Sequence, residues 1–295
     1  MKLMKKILLT AFVAVAAVAV TACSSNNSSN NSSDNKSNSS KTVKLSYVEW
    51  DSEVASTNVL GQVLKDMGYS VELTPLDNAI MWQSVANKQA DAMVSAWLPS
   101  THEAQYNKYK DKVDLLGANL EGAKLGLVVP KYMENVNSIS DLSDQAKKTI
   151  TGIDAGAGVM SAAEKTAKEY DNLKSWQVLP SSSGAMATAL DKAYKNKQEI
   201  VVTGWAPHWM FAKYDLKFLE DPKGTMGAAE SINSVARQGL KEDKPEVYKV
   251  IKNFKWSNED INSVMLAISN GEKPEKAAQD WIASHQDKVN SWKNA

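Results

Sequence analysis

The chain has 295 residues, 34 basic and 34 acidic side chains, and nine tryptophans; setting aside Lys2, Lys5 and Lys6 leaves 31 basic against 34 acidic groups. That near-neutral balance, with no clustered basic stripe, argues against a nucleic-acid-binding role. A single cysteine excludes an intramolecular disulfide.

Residues 1–22 read as a signal peptide, because the three lysines precede an apolar run, Ile7 to Val20, that is too short to span a membrane as a mature helix. The run ends in Val20-Thr21-Ala22-Cys23, which resembles the lipobox of bacterial lipoproteins. That resemblance implies cleavage before Cys23 and a diacylglyceryl thioether on its sulfur. Residues 23–42 then form the lipidated cysteine and a Ser/Asn-rich tether. Between 24 and 41 there is no apolar side chain to offset the entropy of ordering the backbone. As a flexible coil, that stretch spans roughly 25 Å. The order is therefore an anchor on the extracytoplasmic face of the cell membrane, a leash, and a globular body from residue 43 onward, which has no further stretch resembling a membrane span.

The body alternates short apolar runs with helical patterns. Strands are expected at 43–48, 70–74 and 92–96, and helices at 58–67 and 80–87. The alternation recurs, with strands at 148–153, 176–179 and 199–203 and helices at 162–170 and 185–194. Two βαβαβ units of an α/β layer architecture follow. Between them lies the apolar run AKLGLVVPKYM, 123–133, and after the second comes an extended candidate at 230–239, followed by helices only, one of them opened by Ser257-x-x-Asp260. Two crossover strands between two α/β lobes make a hinged clamp, with lobe one at 43–125 plus 232–295 and lobe two at 126–231.

In open α/β sheets ligands bind beyond the carboxyl ends of strands. There the sequence places Glu49-Trp50-Asp51-Ser52, Trp97-Leu98-Pro99-Ser100-Thr101-His102, Gly152-Ile153-Asp154-Ala155-Gly156 and Gly204-Trp205-Ala206-Pro207-His208. Trp50, Trp97 and Trp205 share this position, whereas Trp82, Trp176, Trp209, Trp256, Trp281 and Trp292 read as core. Three convergent indoles suit a quaternary ammonium, whose charge is attracted to ring faces and whose methyls donate no hydrogen bond. Three desolvated contacts of about 2 kcal/mol each still fall short of the roughly 8 kcal/mol of a micromolar complex. A second contact is needed. The glycine-rich run from Gly152 to Gly158 leads into a helix whose free amides would take an anion, and His102 would add a donor. A cation cage beside an anion pocket describes a zwitterion. GIDAGAG lacks both nucleotide-loop patterns, so no cofactor is expected; His102, His208 and His285 form no metal motif, and Ser182-Ser183-Gly184 is no nucleophile elbow.

The stretches VEWDSE, SAWLPSTH, GIDAGAG, VVTGWAPHWMF and KLGLVVPKYM resemble the glycine betaine and proline betaine substrate-binding lipoproteins of osmoregulatory ABC importers, over essentially all of 43–292. The resemblance implies a two-lobe, periplasmic-binding-protein-like (type II) clamp. It implies a trimethylammonium cage of Trp50, Trp97 and Trp205, and a carboxylate held by the His102 side chain and the backbone amides of Gly152 and Ile153. It also implies delivery to a permease driven by a separate ATPase. Several members carry the GIDAGAG half first; here the order is reversed. Two alternatives stand beside it: a binding protein for choline, carnitine or another small amine or amino acid, and an anchored enzyme using His102, Glu103 and Asp51.

Overall fold

The computed structural model describes residues 41–294. The signal peptide, Cys23 and the tether up to residue 40 lie outside the described residues. The first strand opens at Thr42, one residue inside the stretch assigned to the tether.

In chain order the first half runs β1 (Thr42–Tyr47), α1 (Asp51–Asp66), β2 (Ser70–Pro75), α2 (Asn78–Ala86), β3 (Ala92–Leu98) and α3 (Glu103–Tyr109), and then β4 (Val113–Pro130). The second half runs β5 (Thr149–Thr151), α4 (Gly158–Glu169), β6 (Gln177–Leu179), α5 (Ser183–Lys195), β7 (Val201–Ala206), α6 (Met210–Lys213) and β8 (Leu216–Phe218). β9 (Glu230–Arg237) returns to the first half. Five helices follow: α7 (Leu240–Asp243), α8 (Pro245–Asn253), α9 (Asn258–Ser269), α10 (Pro274–Ser284) and α11 (Gln286–Asn294).

The strands form one mixed sheet in the order β2-β1-β3-β9-β4-β7-β5-β6, with β8 paired to β4. β1 is parallel to β2 and β3, and β5 is parallel to β6 and β7. β9 and β4 run antiparallel to the strands beside them. The two halves thus repeat one topology, with the equivalent of the first strand flanked by the second and third. β4 joins them: from Val113 to Ala123 it pairs with β9, and from Lys124 to Val128 with β7.

Three expectations need adjustment. α1 begins at Asp51, not at 58, because Asp51 and Glu53 lie in its first turn, where the helix dipole favours acidic groups, and the Trp50 carbonyl already accepts from the amides of Glu53 and Val54. β3 and β7 extend further than the apolar runs suggested, so Trp97 and Trp205 lie within the last residues of strands rather than in the loops after them. β4 is an 18-residue strand, of which only the C-terminal part was legible, since after Val113 its first residues alternate half-buried and exposed positions.

The first-half core is built on α1, which buries Val59, Leu60, Val63 and Leu64 completely, and α9 and α10 cover its other side. The Ser257/Asp260 capping box opens α9 as expected. Phe254, Trp256, Trp281 and Trp292 form an aromatic cluster, with Trp281 and Trp292 stacked at 5.9 Å, far from the strand ends in role and in sequence. Beneath the sheet, Asp91 is buried against Arg237 Nε at 2.8 Å and Lys244 Nζ at 2.7 Å. Burial pushes its carboxyl up, but Lys244, the Lys44 amide and Arg237 outweigh that and hold it low. Removing one member of a buried ionic group leaves the rest uncompensated. Asp91→Ala should therefore lower unfolding free energy in urea by about 3–5 kcal/mol, while isothermal titration of the folded fraction shows ligand affinity unchanged.

Candidate ligand-binding site

The carboxyl ends of β1, β3, β5 and β7 converge between the halves and enclose a small cavity. Its walls are Trp50, Ser52, Trp97, Thr101 and His102 from the first half, and Ile153, Ala157, Gly158, Val159 and Trp205 from the second, with Leu125 of β4 between them. The three indoles picked out by position in the sequence therefore share one cavity, each under 7% exposed.

Each indole is held by a different device. Trp50 precedes α1 and donates its Nε1–H across the cleft to Asp154 Oδ2 at 2.7 Å. Trp97, next to last in β3, donates its Nε1–H to Glu53 Oε1 at 3.1 Å. Trp205 ends β7 and meets the His208 ring edge-on at 4.5 Å; its Nε1 is buried with no partner among the described residues.

The loop after β3 is closed on itself. The Trp97 amide donates to His102 Nδ1 at 3.1 Å, and the His102 amide returns to the Trp97 carbonyl at 2.9 Å. Glu230 pins the middle of the loop, accepting from the amides of Ser100 and Thr101 and from the Thr101 hydroxyl. With Nδ1 an acceptor, the ring proton sits on Nε2. Nε2 is buried, unpartnered among the described residues, and belongs to a residue lining the cavity. Burial holds the imidazole down, at about 3, so it is a neutral donor at physiological pH. Trp50 stacks over this ring at 5.9 Å, and Trp82, which is not on the cavity, packs edge-on behind it at the same distance.

The anion half differs from expectation at one residue. Gly152 does not face the cavity: its amide donates to the Leu179 carbonyl at 2.8 Å, and a Cβ there would lie 2.1 Å from Met160 Sδ. The glycine serves helix–strand packing. Ile153 lines the cavity, and so do Gly158 and Val159 at the start of α4, whose amides are in the first turn, where no intrahelical acceptor exists. The glycine-rich run was expected to lead into a helix with free amides at its start, and the helix opens at Gly158, four residues before the expected 162.

Contacts across the cleft involve residues that sequence reasoning assigned elsewhere. Asp51 accepts from Trp209 Nε1 at 2.6 Å and from Ser183 Oγ at 2.5 Å, with His208 Nε2 at 3.4 Å. Burial raises the Asp51 carboxyl, but His208, Ser183 and Trp209 together bring it down to about 2. Trp209 is thus a cross-cleft donor as well as a buried ring. Asn78 Nδ2 adds a bond to the Gly156 carbonyl. The signal for these was the pairing of an acid with Trp50 and of a second indole with His208 directly after matching strands. His102 and Asp51 hold fixed protonation states and serve the loop and the cleft, while Glu103 merely opens α3. Among the described residues no group of three or more His, Cys, Asp or Glu could hold a metal ion, and no helix is long and apolar enough to cross a membrane.

Fold and cavity together define a binding protein of the type II periplasmic class. The chain belongs to the family described as the substrate-binding domain of ABC-type glycine betaine transport systems, which it matches over residues 41–284. Members of this family are extracytoplasmic binding components, not enzymes. The chain is 53% identical over 156 residues to a glycine betaine/carnitine transport binding protein of Listeria monocytogenes, a match covering 52% of this chain and 51% of that relative. The chain thus aligns with about half the length of that protein. Among solved structures it is similar to lactococcal OpuAC in its closed-liganded conformation with glycine betaine, at 61% identity and TM-score 0.83, covering 86% of this chain and all of that one. A Borrelia burgdorferi glycine betaine/L-proline-binding protein follows at 38% identity and TM-score 0.81, covering 85% and 96%. A choline-binding protein in complex with choline is similar at 28% identity and TM-score 0.78, covering 86% and 92%.

Two predictions follow from the geometry. A Cβ on Gly158 would sit 2.3 Å from Thr101 Cγ2 and 2.9 Å from the Thr101 carbonyl across the cleft, so Gly158→Ala should weaken ligand binding at least tenfold in calorimetry while circular dichroism shows a native fold. Glu53 is fully buried and its carboxyl is pushed up to about 7 from 4.5, chiefly by burial, against hydrogen bonds from Trp97, Ser95 and Ser52. A carboxyl whose folded pKa is raised binds more protons folded than unfolded, so ligand-free stability should fall as pH rises from about 4.5 to 7 and level off above. Thermal melts of Glu53→Gln should lack that decline.

Proposed function

We propose that this chain captures glycine betaine, or a closely related quaternary ammonium zwitterion, and hands it to an ABC permease energised by a separate ATPase. In this reading the trimethylammonium lies among Trp50, Trp97 and Trp205. The carboxylate accepts from His102 Nε2–H and from the amides at the start of α4, Gly158 and Val159, with Ile153 beside them. Lobe one, 43–125 plus 232–295, and lobe two, 126–231, close on the ligand as units, so affinity and closure are coupled. A diacylglyceryl group on Cys23 and the tether keep the body at the outer face of the membrane.

The observation that carries the reading is the unpartnered, neutral N–H of His102, a residue that shares one cavity with three indoles. A buried donor left unpaired costs about 1–3 kcal/mol, which a ligand oxygen would return. The resemblance to a structure holding glycine betaine and to one holding choline supports the headgroup, and His102 favours the carboxylate.

Trp97→Ala and Trp205→Ala should each weaken glycine betaine binding at least tenfold without unfolding the body; unchanged affinity in either would remove the cage. His102→Ala should cost glycine betaine more than tenfold and choline less than threefold. Equal losses for both ligands in parallel titrations would place the carboxylate elsewhere.

A further inference from the structure

Two of the three cage indoles donate their ring N–H to a carboxylate: Trp97 to Glu53 and Trp50 to Asp154. Asp154 also serves the cleft, since it lies on the opposite half from Trp50. Glu53 has no such second duty. It is on the first turn of α1 in the same half as Trp97, 1% exposed, and its Oε2 is buried without a partner among the described residues. The groups facing it are Ser52 on its own helix and Ser95 and Trp97 on β3, all uncharged. A buried acid with no cation beside it is costly, and glutamine would accept the same indole bond without that cost. The carboxylate therefore supplies something a neutral acceptor does not.

What it supplies is charge behind the ring. An indole whose N–H is bound to an anion carries more electron density on its faces, and a cation on the face is attracted to both ring and anion through a medium of low dielectric. On the proposed function rests the next step. We propose that Glu53 is a specificity-determining residue of the cage: ionised, it makes Trp97 select a cationic headgroup over a neutral one of the same shape, and in the empty protein it holds a proton that the cation displaces. The step balances as protonated Glu53 plus zwitterion giving the Glu53 carboxylate, bound zwitterion and one proton to solvent. Burial already sets the empty-site carboxyl at about 7, where such an exchange is possible at neutral pH. A cation beyond the indole lowers it.

Other ionisable groups surround the cage. Asp51 at the start of α1, held near 2, and His102 in the loop after β3, held near 3, keep their charge states between pH 5 and 8. Asp154 after β5, His208 after β7 and Glu230 on β9 complete the set, with His208 facing Asp51 and Glu230 bound to the Ser100–Thr101 loop. A response arising from any of these survives replacement of Glu53.

The test uses glycine betaine and 3,3-dimethylbutanoate, in which carbon replaces the quaternary nitrogen and the carboxylate is kept. Wild-type protein should bind betaine roughly five- to tenfold more weakly at pH 5.5 than at pH 8, with the isostere flat over that range. Glu53→Gln should lose five- to tenfold in betaine affinity at pH 8, lose the pH dependence, and bind the isostere within twofold of wild type. Equal weakening of both ligands, or a pH profile that persists in Glu53→Gln, would overturn the assignment and leave the proposed function standing. Should the variant not fold, calorimetry of wild type near pH 7 in two buffers of different ionisation enthalpy decides: fractional proton release with betaine supports it, and none overturns it. Wild-type protein that binds no betaine would overturn the proposed function and this inference with it.

Discussion

Everything at the site depends on β4 changing partners along its length. Up to Ala123 it is hydrogen-bonded to β9, and from Lys124 to β7, so one continuous strand fixes how the two halves of the sheet face each other. Each half on its own is an α/β unit whose strands end in a short polar and aromatic rim. Because β9 lies beside β3, and β4 lies beside β7, the carboxyl ends carrying Trp97 and Trp205 are brought to one place. An indole at a strand end is half wet in an isolated unit. Opposed to a second such unit it becomes a wall, and burial of about 200 Å² per ring turns from a liability into the energy that favours closure.

The polar contacts across this cleft are of a different kind from those beneath the sheet. Asp91, Arg237 and Lys244 satisfy one another within one half, where they tie β1, β3, β9 and the approach to α8. Asp51, by contrast, takes its donors from Ser183 and Trp209, and Trp50 takes its acceptor from Asp154. Each of those pairs joins the two halves, so it holds them together and contributes nothing to either half alone. With Asp154 bonded to the Trp50 ring N–H, the position of that ring is tied to the opposite half.

The α/β class, the repeated βαβαβ units, the two crossover strands and the convergence of Trp50, Trp97, Trp205 and His102 were legible because each rests on local pattern: β-branched runs, helical spacing and a shared position after matched strands. What was not legible depends on register and on partners distant in sequence. α4 starts at Gly158 rather than 162, where Gly158 packs on Thr101, a residue 57 positions away, and this puts Gly158 and Val159 on the cavity wall. Trp209 reads as core because it lies in a helical or flanking pattern; only the fold brings Asp51 to its N–H. Glu53 was invisible for a related reason. An acid in the first turn of a helix looks like dipole compensation, and nothing local says that its side chain turns inward to Trp97.

Buried polar atoms without a partner occur at several places among the described residues, and at the cavity they belong to two lining residues, His102 (Nε2) and Trp205 (Nε1), with Glu53 Oε2 unpaired behind Trp97. Sequence optimised for stability alone would replace the acid with glutamine or leucine and the histidine with an apolar residue. Such departures cluster where function requires them. Here they differ in kind: a neutral donor without an acceptor on one side, and on the other a buried carboxyl with no cation beside it. A ligand that restores both must carry an anion and a cation a few bonds apart, so the two defects together describe a zwitterion more narrowly than the three indoles do.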